Sequence, residues 1–136
     1  MTNPYAVATS AYKDHAVNTA SPARVVVMAY ERLVLDCERA LACFEIKRPA
    51  GEHLMHAQDL ILALQTNLNV DQWEGAKRLS SLYTFVYQEL IAANILQDAG
   101  KVQVCLDLLT PLADAWIQAE RSIGDQPANA GTFAVA

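Results

Sequence analysis

Apolar side chains recur at alternating gaps of three and four along four stretches of this chain, the spacing that places them on one face of an α-helix. The organising stretch runs from Asp71 to Asn94, where Ala76, Leu79, Tyr83, Val86, Leu90 and Ala93 form the seam. It carries its own start signal. The Asp71 carboxylate can accept from the Glu74 N–H while the Glu74 carboxylate reaches back to the Asp71 N–H, so the helix is expected to begin at Asp71. A second apolar line through Leu82 and Phe85 lies off the seam and predicts packing on two sides.

Upstream, Ser21 as N-cap and Pro22 at the first helical position open a helix over residues 22–46, with Val26, Tyr30, Leu33, Cys37, Leu41 or Ala40, and Phe44 on its seam. Lys47-Arg48-Pro49-Ala50-Gly51 ends it. A second helix spans 52–68, with Leu54, Ala57, Ile61, Leu64 and Leu68 inward, and Asn69-Val70-Asp71 turns tightly into the third over 71–94. The last covers 98–121, capped by Asp98, with Val102, Cys105, Leu109, Leu112 and Trp116 inward. Pro111 falls inside it and predicts a kink near Thr110. Residues 1–20 are expected as a short mobile arm and 122–136 as a disordered tail. The expected fold is all-α: one domain, an antiparallel up-down four-helix bundle with crossing angles of roughly 20°.

Composition narrows the partners. Apolar residues make up 53% of the chain and charged residues 18%, against roughly 45–50% and 25% in soluble domains, so the surface should expose apolar area. Ten basic and fifteen acidic residues leave a net charge of −5 with no basic run, which argues against nucleic acid. No apolar run approaches the length of a membrane span, and the N-terminus lacks a signal-peptide pattern, so no membrane insertion and a cytosolic location are expected. Cys37, Cys43 and Cys105 have no CxxC spacing and read as reduced, partly buried thiols.

Catalysis requires convergent polar groups, and the sequence offers none. His53 and His56 share a face with Glu52 and Asp59, a solvated charged face rather than a metal site, and no Glu stands three before a His as a bundle di-metal centre needs. Ser80 and Ser81 have no base at helical spacing. No enzyme, metal or cofactor is therefore expected. Trp73 and Trp116 read as core or bundle-end aromatics. The off-seam residues Val27, Met28, Leu35, Met55, Leu62, Leu82, Phe85 and Ile91 fit either a wide core or homodimer contact, or a groove for an amphipathic partner.

Ala11-Tyr12, Val17, Thr19-Ala20-Ser21-Pro22 and Met28-Ala29-Tyr30-Glu31 resemble the AY…V-x-TASP and LYDG segments of the FliS family of flagellar secretion chaperones, and further motifs follow in the same order. Leu68-Asn69-Val70-Asp71 stands where the family has LDM or LDQ, Leu82-Tyr83-Thr84-Phe85-Val86 resembles LYDYM, and Ala92-Ala93-Asn94 with Asp98 resembles AN…D. Trp116 matches a late Trp, and the resemblance spans about residues 11–120; Arg32, Gln72-Trp73-Glu74-Gly75 and Pro111 depart from it. It implies a cytoplasmic chaperone that binds the disordered C-terminal segment of flagellin, prevents premature polymerisation and delivers it to the flagellar type III export gate. The partner-binding residues expected are Tyr12, Val17, Met28, Leu62, Leu82, Phe85, Tyr87, Ile91 and Asn94, with the arm docking over the empty groove. The alternative is a homo-oligomeric helical adaptor whose extra apolar stripes bury a dimer interface.

Overall fold

A computed structural model describes residues 22–124. Within them the chain forms α1 (Pro22–Glu45), α2 (Gly51–Thr66), α3 (Gly75–Leu96) and α4 (Ala99–Gly124), with no strand. Each helix packs on two neighbours, in the cyclic order α1, α2, α3, α4 and back to α1. Cross-helix pairs fix the directions. Arg24, near the start of α1, bonds Glu120, near the end of α4, at 3.0 Å, while Gln65 late in α2 donates to the Thr84 hydroxyl at 2.7 Å and the Ser80 carbonyl at 3.1 Å in early α3. Lys101 in early α4 pairs with Glu89 in late α3 at 3.5 Å. Neighbours therefore run antiparallel, the up-down arrangement that short loops favour. No helix among the described residues is long and apolar enough to cross a membrane.

The core follows the predicted seams. All six seam residues of α3 are buried, as are Leu54, Ala57, Ile61, Leu64 and Leu68 of the second seam. In α1 the smaller Ala40 is buried and Leu41 only partly so, and Asp36 is fully buried. In α4 the seam is buried at Val102, Cys105 and Leu109, but Leu112 and Trp116 are half-buried and Ala113 takes the inward place. The α4 seam thus loosens toward its C-terminal end.

Local chemistry sets the helix ends. Ser21, the expected cap of α1, lies outside the described residues. The capping box expected at Asp71 and Glu74 does not form: α3 begins at Gly75, and Glu74 makes no side-chain cap bond. Asn69 competes for the backbone instead. Its Oδ1 accepts the Asp71 N–H at 3.1 Å and its carbonyl accepts the Gln72 N–H at 3.3 Å, an Asx turn that holds residues 69–72 out of the helix. Asp98 does cap α4, accepting the Gly100 N–H at 2.9 Å. One helix runs through Pro111, and the Thr110 hydroxyl donates to the Leu106 carbonyl at 2.8 Å just before it.

Candidate partner-binding groove

The loosened seam of α4 opens a groove against the first turns of α3. Trp73, Gly75, Arg78, Leu79 and Leu82 form one wall and Leu112, Ala115, Trp116 and Ala119 the other, enclosing about 550 Å³. Small residues make the space: Ala115 and Ala119 lie one turn apart on α4, opposite Gly75. The Trp73 ring lies across Gly75, where a Cβ would overlap it, so the glycine admits the indole. Trp73 is 39% exposed, a large apolar surface that the other described residues leave open. Arg78, which makes no ion pair among the described residues, is the only charged residue of the lining.

Trp116 connects this groove to the core. Its ring centroid is 6.3 Å from that of Tyr30 and it hydrogen-bonds the Tyr30 hydroxyl, which its indole N–H can only do as donor. Burial raises the pKa of Tyr30, with the bonds from Tyr83 and Trp116 opposing the shift. The groove's inner wall is thereby tied to a rigid hydroxyl pair at the bundle centre.

A smaller groove of about 280 Å³ lies between α1 and α2, lined by Pro22, Val25, Val26, Ala29, Ala63, Leu64 and Asn67. Both grooves sit at the end of the bundle where α1 and α3 begin and α2 and α4 finish, on opposite sides of the helix ring.

The nine residues expected to contact a partner do not form one surface. Leu82 lines the α3/α4 groove, and Phe85, 43% exposed, continues the same edge of α3 one turn on. Met28 on α1 and Leu62 on α2 are exposed near the smaller groove. Tyr87, Ile91 and Asn94 are half-buried on the side of α3 turned toward α2, in line with Ser80 and Thr84, and the Asn94 side chain abuts Gly51. Tyr12 and Val17 lie outside the described residues. Trp73, Leu112, Trp116 and the alanines of α4 were absent from the expected set. The signal available was the pairing of a tryptophan with Gly75, and of Ala115 with Ala119 beside Trp116.

No group of three or more His, Cys, Asp and Glu among the described residues is placed to hold a metal. His56 is committed elsewhere, its Nδ1 bonded to the buried Asp36 carboxylate. Cys37 and Cys105 are buried thiols, each pushed up to about 12 chiefly by burial, which suppresses the reactive thiolate.

A family model described as Flagellar protein FliS matches residues 3–123. The chain is 31% identical over 123 residues to a flagellar secretion chaperone FliS of Bacillus subtilis (strain 168), with 88% of each chain covered. It is 30% identical over 111 residues to a flagellar secretion chaperone FliS of Vibrio cholerae serotype O1, covering 77% of this chain and 79% of that one.

Proposed function

The chain belongs to the FliS family of flagellar secretion chaperones, and from that premise we propose that it binds the disordered C-terminal segment of flagellin in the cytosol, keeps it from polymerising and delivers it to the export gate. The observation that carries this is the α3/α4 groove, an almost wholly apolar trough walled by two tryptophans on a rigid bundle. An assembly segment of a filament protein has an apolar face that must be covered until export. Docking that face as a helix in a groove is a standard mode of peptide recognition.

Ordering a disordered segment costs roughly 2–5 kcal/mol, so the contact area must be extensive. The second groove and the exposed Met28, Met55, Leu62 and Phe85 supply it, which favours a client that wraps the bundle rather than filling one trough. In this reading the arm with Tyr12 and Val17 covers apolar surface until the client displaces it, and deletion of residues 1–17 should strengthen client binding. The role is binding, with no chemical step.

Isothermal titration with the C-terminal segment of flagellin from the same cell, paired with circular dichroism, tests the proposal. One-to-one binding, a large negative heat-capacity change and helix gained beyond the sum of the parts are expected. No heat and no helix gain at high micromolar concentration would overturn it.

A further inference from the structure

The α3/α4 groove lies next to a stretch of the chain whose chemistry matches it. Helix α4 finishes at Gly124, and Trp116, which walls the groove, precedes that end by eight residues, about 12 Å of helix. Residues 125–136 follow, outside the described residues, and read Asp125-Gln126-Pro127-Ala128-Asn129-Ala130-Gly131-Thr132-Phe133-Ala134-Val135-Ala136. Gly124 and Pro127 are residues that halt a helix and let a chain turn aside. This tail also lies beyond residues 3–123, the span that the family model matches, so the shared fold does not account for it.

Groove and tail are complementary in charge and in size. Arg78 is the only charged residue of the lining, so a charged occupant would lose hydration there for want of partners, and from Gln126 to Ala136 the tail carries no charge at all. Gly75, Ala115 and Ala119 keep the walls short of side chains and leave about 550 Å³, room for one aromatic ring with small apolar neighbours. The tail supplies that set: Phe133 is its single large ring, flanked by Ala130, Ala134 and Val135. Reach is sufficient. The nine residues from Gly124 to Phe133 average roughly 15–18 Å end to end as a free chain and extend to about 30 Å, more than the return to Trp116 requires. The N-terminal arm fits this groove less well, because Tyr12 and Val17 bracket Lys13, Asp14 and His15, and because the arm enters α1 at Pro22, which lines the other groove.

We propose that residues 128–136 fold back along the end of α4 and dock in the α3/α4 groove, with Phe133 against Trp73 and Trp116, so that the chain covers its own groove until a partner displaces it. A tether this short holds Phe133 near the groove at an effective concentration on the order of millimolar, so even a weak contact is populated. A ring set against two indoles adds aromatic contact to the burial of its surface. The docking stands on the groove and the tail, whereas its competition with a flagellin segment rests on the export reading above.

The test compares the full chain with a variant carrying Phe133→Ser and Val135→Ser, both outside the four helices, so that the bundle itself is unaltered. Trp73 and Trp116, the two tryptophans of the chain, report on the groove. With no partner present, iodide should quench the variant about twofold more efficiently than the wild type, equally at low and high protein concentration. Affinity for the flagellin segment should rise about three- to tenfold, as when a groove open in roughly a tenth to a third of the molecules becomes open in all. Equal quenching of the two proteins overturns the proposal, and if deleting residues 1–17 raised it instead, the groove would belong to the arm. Shielding of the wild type that appears only at high concentration, with a sedimenting dimer that the variant loses, would assign the groove to the tail of a second copy and overturns the proposal as well. Raised quenching with unchanged client affinity, or with no client bound by either protein, upholds the docking and overturns the export reading of this groove.

Discussion

The hydroxyls of Tyr30 and Tyr83 lie 2.6 Å apart at the bundle centre, joining α1 to α3 across the core, with both side chains at 0% exposure. The two positions are not equivalent, because Tyr30 also accepts from Trp116. Tyr30→Phe strands the fully buried Tyr83 hydroxyl, whereas Tyr83→Phe leaves the Tyr30 hydroxyl still bonded to Trp116. An orphaned buried group costs about 1–3 kcal/mol, so Tyr30→Phe should be the more destabilising change by roughly that amount. Urea unfolding of both variants checks the order, and equal losses would mean that the Trp116 bond contributes nothing.

Alkaline pH should erode the stability of the bundle, first through its thiols and then through its tyrosines. Cys37 and Cys105 are pushed from 9.0 to about 12, in both cases chiefly by burial, helped by Cys105 at Cys37 and by Glu89 at Cys105. Tyr30 and Tyr83 are also raised above 10.0, again with burial as the first cause. A raised folded-state pKa means that the unfolded chain releases its protons first. Stability is therefore full below pH 9 and falls as pH rises toward the folded values. With reductant present, Cys37→Ala combined with Cys105→Ala should lower the plateau but extend it toward pH 10, where the tyrosines begin to act. A decline from pH 9 that persists in the double variant would show that the thiols do not cause it.

Asp36 is fully buried, and two partners share its carboxylate. His56 Nδ1 bonds Oδ2, while Arg32 Nε stands 3.3 Å from Oδ1 without hydrogen-bond alignment. Removing a partner leaves a buried charge less compensated, a loss reduced here because His56 and Arg32 are themselves about half exposed. His56→Ala should cost about 1–3 kcal/mol and Arg32→Ala less, since only the histidine makes a true hydrogen bond. Thermal unfolding of the two variants at pH 7 reads the order directly, and a larger loss for Arg32→Ala would contradict it.

The sequence made the seams legible because burial in a bundle follows the helical period, and Tyr83, Leu90 and Ile61 fall on it. Asp36 was not legible. It sits between Leu33 and Cys37 on an inward arc, and what permits a carboxylate there is a histidine twenty positions away on another helix. The start of α3 was misplaced for a local reason, since Asp71 and Glu74 satisfy a capping pattern that the Asn69 turn pre-empts. The groove was half legible. Leu82 and Phe85 announced surplus apolar surface, but the opposite wall looked like continuing core, and only packing shows that Ala113 takes the inward place and leaves Leu112 and Trp116 partly open. Neither Lys47 nor Gln97 advertises a left-handed backbone, because both loops lack the glycine that normally marks one.

Gly75 tests the groove without touching its lining side chains. A Cβ there would overlap the Trp73 ring, so Gly75→Ala must swing the indole off the α3/α4 trough. Gly75 has no positive φ, so the same change also lowers the entropy of the unfolded chain, a gain of about 0.4–1 kcal/mol. Stability should therefore hold or rise slightly while the groove loses one wall. Tryptophan emission should shift to the red and become more accessible to iodide, since Trp73 and Trp116 are the two tryptophans of the chain and both line the groove. Affinity for the flagellin segment should fall by about five- to tenfold, the loss of one well-packed aromatic anchor, about 1 kcal/mol. A stable Gly75→Ala protein with red-shifted emission and undiminished affinity would place the client elsewhere on the bundle.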